Sequence, residues 1–317
     1  MDPLDPMLTV PERLARRVLN ARGYRSRWLH TSVGRLHVLD GPGRGDLPPV
    51  VMLHGFSANA ISYVGLLRRF APHSRRLVAP DCPGHGFSEV PLGGLDRDAM
   101  MAGMFEVLDR VIDEPVVLLG TSMGGFGAVR YAARSPKKVR ALVLICPGGA
   151  PMTPEGLQDF LDTFRIDRHR EALAFVDRML ARSPRGLRHL LAHGIRGRFT
   201  NPQLRRLLDS LGPEDLLQPD ELASLRMPTL MLWGREEMIL PPAHLEFFQR
   251  HLPQHAQLEI WNQFGHCGYL EQPRAVTDRV LRFARTVIRA ESRNRPIEVD
   301  DGVHGVTQSV HRTAHLH

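Results

Sequence analysis

A serine flanked by small residues, Gly120-Thr121-Ser122-Met123-Gly124, follows directly on the apolar run Pro115 to Leu119 and precedes a helical pattern opening Gly125-Phe126-Gly127-Ala128. Three fixed positions in five arise by chance in many chains, so the context carries the weight here. A strand, a sharp turn and a helix N-terminus are the parts of a nucleophile elbow, in which the serine is forced into a strained backbone conformation and a Cβ at the flanking positions would collide with neighbouring chain. A serine hydroxyl is a weak nucleophile at neutral pH, so a base must take its proton and an acid must orient that base. In an architecture of strand, elbow and helix these follow in the order serine, acid, histidine. His266, within Phe264-Gly265-His266-Cys267-Gly268-Tyr269-Leu270-Glu271-Gln272-Pro273, comes just after the last apolar run, on a loop at the carboxyl edge of the sheet. Most of the sixteen histidines have no comparable setting. For the acid, the segment Gly234-Arg235-Glu236-Glu237-Met238-Ile239-Leu240-Pro241 offers two adjacent glutamates and no aspartate. Glu237, fourth from Gly234 and followed by Ile239-Leu240 and Pro241, is the choice; Glu236 reads as a solvated loop carboxylate.

The elements that must position these groups are legible in the hydrophobic pattern. Short continuous apolar runs recur at Pro49 to Leu53, Arg76 to Ala79, Pro115 to Leu119, Val139 to Ile145, Met227 to Trp233 and Leu258 to Trp261. Such runs are expected of strands buried on both faces. Helix-length segments lie between them, at Asp98 to Asp113, Gly124 to Ser135 and His244 to His251, and the alternation predicts right-handed βαβ units in a mostly parallel sheet flanked by helices. Two strands before this, Arg27 to Thr31 and Arg35 to Leu39, joined at Val33-Gly34, read as an antiparallel hairpin. The alternation breaks over residues 151–218, where helical patterns (Glu155 to Phe164, Glu171 to Arg182, Asn201 to Leu211) run without a convincing strand. That segment reads as an inserted helical cap dividing a core of residues 25–150 and 219–290. Residues 1–24 form an N-terminal extension with a short basic amphipathic helix, Pro11 to Gly23. Its modest apolar face favours packing on the core over weak association with a membrane surface. Residues 291–317 lose periodicity and apolar content and read as a disordered tail.

Composition sets the class. The chain has 317 residues, 43% apolar and 24% charged, which is ample for a hydrophobic core and unlike collagen, coiled coil or a disordered chain. No apolar run approaches the length of a membrane-spanning helix. Cys82, Cys146 and Cys267 are odd in number and far apart, which favours a reducing compartment, and with no secretory signal visible a cytoplasmic location is expected. The 41 basic and 34 acidic residues leave a net charge of +7, spread along the chain, so the excess reads as a solvated arginine-rich surface rather than a nucleic-acid site.

His54-Gly55-Phe56-Ser57, Asp81-Cys82-Pro83-Gly84-His85-Gly86-Phe87-Ser88, Gly120 to Gly124, Trp233-Gly234 to Pro241 and Gly265-His266 to Pro273, in this order, resemble the α/β-hydrolase superfamily over about residues 28 to 287. Gly-Thr-Ser-Met-Gly-Gly followed by Cys146-Pro147-Gly148-Gly149 is similar to its monoacylglycerol-lipase and carboxylesterase branch, which carries a helical cap. Glu237 stands where the superfamily usually has aspartate, and Ser122 where epoxide hydrolases and haloalkane dehalogenases have aspartate, which argues against both. The resemblance implies an oxyanion hole formed by the backbone N–H groups of Phe56 and Met123. It also implies a serine hydrolase of carboxylic esters with a small apolar ester as substrate, no organic cofactor and no metal. His54 and His85 read as structural members of their turns. Leu157, Phe160, Leu161, Phe164, Leu173, Phe175 and Val176 are candidates for an acyl pocket. A C–C bond hydrolase of the meta-cleavage type is the alternative, and a cap arginine facing the nucleophile would favour it. A non-catalytic ligand-binding protein is the third reading.

Overall fold

A computed structural model describes residues 10–183 and 186–294. Among the described residues eight strands form one sheet in the order β1-β2-β4-β3-β5-β6-β7-β8. They are β1 (Arg25–Thr31), β2 (Gly34–Pro42), β3 (Val50–Leu53), β4 (Arg76–Pro80), β5 (Val116–Ser122), β6 (Val139–Pro147), β7 (Thr229–Gly234) and β8 (Gln257–Trp261). The opening hairpin pairs antiparallel with Thr31 opposite Gly34, and β2 is antiparallel to β4 as well. All remaining pairs are parallel. Strands β3 and β7 are buried at every residue, and β4, β5 and β6 nearly so. The run at Leu258 to Trp261, expected to be buried on both faces, is instead the sheet edge and half exposed, because among the described residues no strand pairs beyond it.

The helices are α1 (Val10–Ala21), α2 (Val64–Phe70), α3 (Arg97–Val111), α4 (Met123–Arg134), α5 (Pro154–Asp162), α6 (His169–Met179), α7 (Arg188–Phe199), α8 (Pro202–Asp209), α9 (Pro219–Ala223), α10 (Pro242–His251), α11 (Gly268–Glu271) and α12 (Pro273–Asn294). Helix α3 starts where the Asp96 side chain accepts the Ala99 N–H at 2.9 Å, an N-cap that satisfies one of the donors a helix start leaves open. Helices α5 to α9 fill the stretch between β6 and β7, and α5 to α8 enclose an apolar cluster of their own around Leu161, Phe164, Ala172, Val176, Ala192 and Phe199. Helix α1 packs through Leu19, which is fully buried, while Leu14 and Val18 are exposed. Helix α12 continues to Asn294, so the first four residues of the stretch read as a disordered tail are helical. The rest of that stretch, and residues 1–9, lie outside the described residues. No helix among the described residues is long and apolar enough to cross a membrane.

Candidate active site

Ser122 ends β5 and α4 begins at the next residue, with φ +51° and ψ −119° at the serine. That left-handed φ is costly for any residue but glycine and persists only where the surroundings enforce it. The enforcement comes from close approach of neighbouring chain: a Cβ at Gly124 would stand 2.1 Å from the Leu53 carbonyl oxygen at the end of β3, so only glycine lets α4 come down beside that strand. Met123 is the first residue of α4, and the first N–H groups of a helix have no intrahelical acceptor. They carry the positive end of the helix dipole and lie beside the serine.

Two strands away, the β7 loop and the loop after β8 bring the acid and the base together. His266 Nδ1 and Glu237 Oε2 are 2.7 Å apart, with side chains 10% and 2% exposed. The other oxygen, Oε1, accepts the N–H groups of Ile239 at 2.7 Å and Leu240 at 3.0 Å, so the Gly234–Pro241 turn grips the carboxylate at one end and presents it to the ring at the other. Burial alone would push this carboxyl up. The His266 charge and hydrogen bond and the two N–H donors outweigh it and hold Glu237 below the ordinary glutamate range. Glu236 turns away and accepts the Phe264 N–H at 3.0 Å from the loop that leads into His266. Among the described residues no hydrogen bond joins Ser122 to His266.

The loop carrying His266 is tied down by a residue given no role above. Glu271 accepts the N–H of Gly265 at 3.1 Å and, beyond the end of α6, those of Ala181 at 3.1 Å and Arg182 at 3.0 Å. The Cys267 N–H donates to Met179 O at 3.1 Å. His54 is structural: its Nε2 accepts the Cys82 N–H at 3.0 Å, which leaves Nδ1 to donate to Gly55 O at 2.8 Å. Asp81, fully buried, takes the N–H groups of Ala60 at 2.6 Å and Phe87 at 2.9 Å and pairs with His37, fastening the turns around the site.

Ser122 opens on a cavity of about 370 Å³. Leu157, Phe160, Leu161 and Phe164 of the expected acyl pocket line it together with Phe56 and Met123. Leu173, Phe175 and Val176 do not; they pack inside the helical layer between β6 and β7, because α6 presents them to α7 rather than to the sheet. Much of the wall comes from elements not suspected of it: Met100, Met101, Met104 and Phe105 of α3, Phe126 of α4, and Leu207, Leu208 and Leu211 around α8. Three methionines at neighbouring positions of one helix are the signal that could have found it, since flexible thioethers suit an adaptable apolar wall. The charged groups at the cavity are paired: Arg97 with Asp215 at 2.7 Å and Glu214 at 3.1 Å, and Arg130 with Glu221 at 2.9 Å.

Two buried histidines close to these residues bear on stability. Burial lowers His85 to about 3, and lowers His244, on α10, to about 4. Both fold in the neutral form, so below the ordinary value of 6.5 the unfolded chain binds the extra protons. Stability is then full above about pH 6.5 and is lost as pH falls toward about 4 for His244 and about 3 for His85, by at most about 1.4 kcal/mol per pH unit for each histidine. Urea unfolding between about pH 7 and about pH 4 should lose close to one proton of that slope in His244→Leu; an unchanged slope would mean that His244 is charged in the fold.

A family model described as the alpha/beta hydrolase fold matches residues 48–273, and the chain belongs to the α/β-hydrolase family. Human monoacylglycerol lipase ABHD6 is 26% identical over 276 residues, covering 79% of each chain. Among solved structures, a bacterial membrane phospholipase A described as a virulence factor superposes with a TM-score of 0.73 at 23% identity, over 90% of this chain and 93% of that one. The 2-hydroxy-6-oxo-6-phenylhexa-2,4-dienoate hydrolase of Rhodococcus sp. strain RHA1 superposes with a TM-score of 0.70 at 23% identity, over 83% of this chain and 99% of that one.

Proposed function

We propose that this chain is a serine hydrolase that cleaves carboxylic esters of apolar acyl chains through an acyl-enzyme intermediate. The observation that carries the reading is a strained serine at a helix N-terminus, opening on an apolar cavity, with a buried carboxylate–imidazole pair on the neighbouring loops. Ser122 Oγ attacks the carbonyl carbon while His266 Nε2 takes its proton, and Glu237 holds Nδ1–H so that Nε2 faces the serine as acceptor. The N–H groups of Phe56 and Met123 receive the negative oxygen of the tetrahedral intermediate, and one such donor is worth about 3–4 kcal/mol. His266 then returns the proton to the departing alcohol, and water repeats the sequence to release the acid. The lipase relative supports an ester as substrate.

A C–C bond hydrolase of the meta-cleavage type must hold a substrate carboxylate. The arginines at the cavity are already neutralised by Asp215, Glu214 and Glu221, which favours the ester. A series of p-nitrophenyl esters from acetate to palmitate tests this. Each buried methylene is worth about 0.8 kcal/mol, so kcat/KM should rise about 4-fold per methylene from acetate and level off where the cavity is full. A flat series, or turnover confined to a vinylogous diketone acid, would overturn the ester reading.

A further inference from the structure

The loop that carries Phe56 is held from outside the sheet. A Cβ at Gly55 would lie 3.1 Å from Ser122 Cβ, so this loop runs directly against the proposed nucleophile. Its next residue but one, Ser57, has φ +57°, a left-handed conformation that a non-glycine residue keeps only under restraint. Two consecutive residues of α7 supply restraint. Phe199 packs its ring 5.7 Å from that of Phe56, and Arg198 Nη1 donates to Ser57 O at 3.4 Å. The same guanidinium donates through Nη2 to Glu12 on α1. Glu12 Oε1 also accepts from Asn59 Nδ2 at 2.8 Å, two residues past Ser57, where the Asn59 side-chain oxygen accepts the Ile61 N–H and starts the next turn. One carboxylate oxygen on the N-terminal helix thus grips the loop on both sides, directly at Asn59 and through Arg198 at Ser57. Both side chains are largely buried, 15% exposed for Glu12 and 21% for Arg198, which protects the pair from the screening that weakens surface ion pairs.

We propose that Glu12 and Arg198 are positioning residues: they fix residues 55 to 59 so that the Phe56 N–H points at the developing oxyanion, which makes α1 part of the working site although it contributes nothing to the sheet. This rests on the serine hydrolase reading above. Neither residue lines the cavity, and the Phe56 ring that does is packed against Phe164 and Phe199, so loss of the pair shifts a transition-state donor more than it reshapes the substrate pocket.

The test uses the full chain with Glu12→Gln, Arg198→Met and the double variant, assayed on one p-nitrophenyl ester well below their melting temperatures. Sites are counted by fluorophosphonate titration so that rates refer to folded protein. Arg198→Met should lower kcat about 10- to 100-fold, the range expected for a misplaced catalytic group, and leave KM within about 2-fold. Glu12→Gln should lower kcat in the same sense, and the double variant should lose no more than the worse single, because both act through one connection. Unchanged kcat per site in the single variants, a change confined to KM, or fully additive losses would overturn the proposal. Full activity in Ser122→Ala would overturn the serine hydrolase reading instead, so the two failures are distinguishable.

Discussion

Replacing Ser122 with alanine is expected to lower kcat by on the order of 10⁶-fold while leaving the fold intact. The size follows from the proposed role: in that mechanism there is no acyl-enzyme without the hydroxyl, and only oxyanion donors and substrate binding are left to accelerate direct attack by water, a residue of about 10³–10⁴ over the uncatalysed reaction. The fold is expected to survive because alanine keeps the Cβ that meets Gly55 and has the same backbone freedom at φ +51° as serine. Single-turnover and steady-state assays on a p-nitrophenyl ester, with unfolding followed in parallel, check both halves. A variant that keeps a substantial part of the wild-type rate would mean that another group attacks the ester. A variant that is inactive because it no longer folds would show up as a lost unfolding transition.

What the sequence disclosed of this fold, and what it hid, divides along physical lines. Strands β3 to β7 are buried on both faces, and burial on both faces writes itself as an unbroken apolar run. Strand β8 looked the same in sequence at Leu258 to Trp261, yet it is an edge, because four residues of pattern do not say whether a neighbour lies beyond. Helix α7 escaped notice because Gly194 and Gly197 interrupt it, each costing about 1 kcal/mol against alanine in a helix. It forms because Ala192, Ile195 and Phe199 recur on one face and bury against α6 and its neighbours, so tertiary packing overrides propensity. At the site, Ser122 and His266 could be read from local context, since strand, turn and helix must surround an elbow. The cavity wall was only half legible. Leu157 and Phe160 fall in the inserted helices where an acyl pocket was expected, whereas Met100, Met101 and Met104 belong to α3, far away in sequence, and only the three-dimensional fold brings them to Ser122. Glu12 and Arg198 lie further still beyond local pattern, 186 positions apart.

Glu237→Gln carries the second large effect, an expected loss of about 10⁴-fold in kcat with stability and KM nearly unchanged. Adjacent glutamates on one turn are indistinguishable by composition, and the turn separates them by direction: Glu237 goes inward to His266, Glu236 outward to the Phe264 N–H. In the variant the amide oxygen can still accept from Ile239 and Leu240, so the turn persists. The amide nitrogen then faces His266 Nδ1 and donates to it, which drives the ring proton to Nε2, and a nitrogen that already carries hydrogen cannot accept the proton of Ser122. The lost negative charge also leaves the imidazolium of the transition state without its counter-charge in a buried site. Glu236→Gln keeps an acceptor for the Phe264 N–H on a half-buried side chain and should alter kcat by less than about 3-fold, because the loop contact survives and the imidazole is not touched. The two variants measured side by side on the same ester separate the roles: a large loss at 236 and a small one at 237 would reverse the assignment, and comparable losses at both would mean that the loop conformation, rather than the imidazole tautomer, is what either glutamate controls.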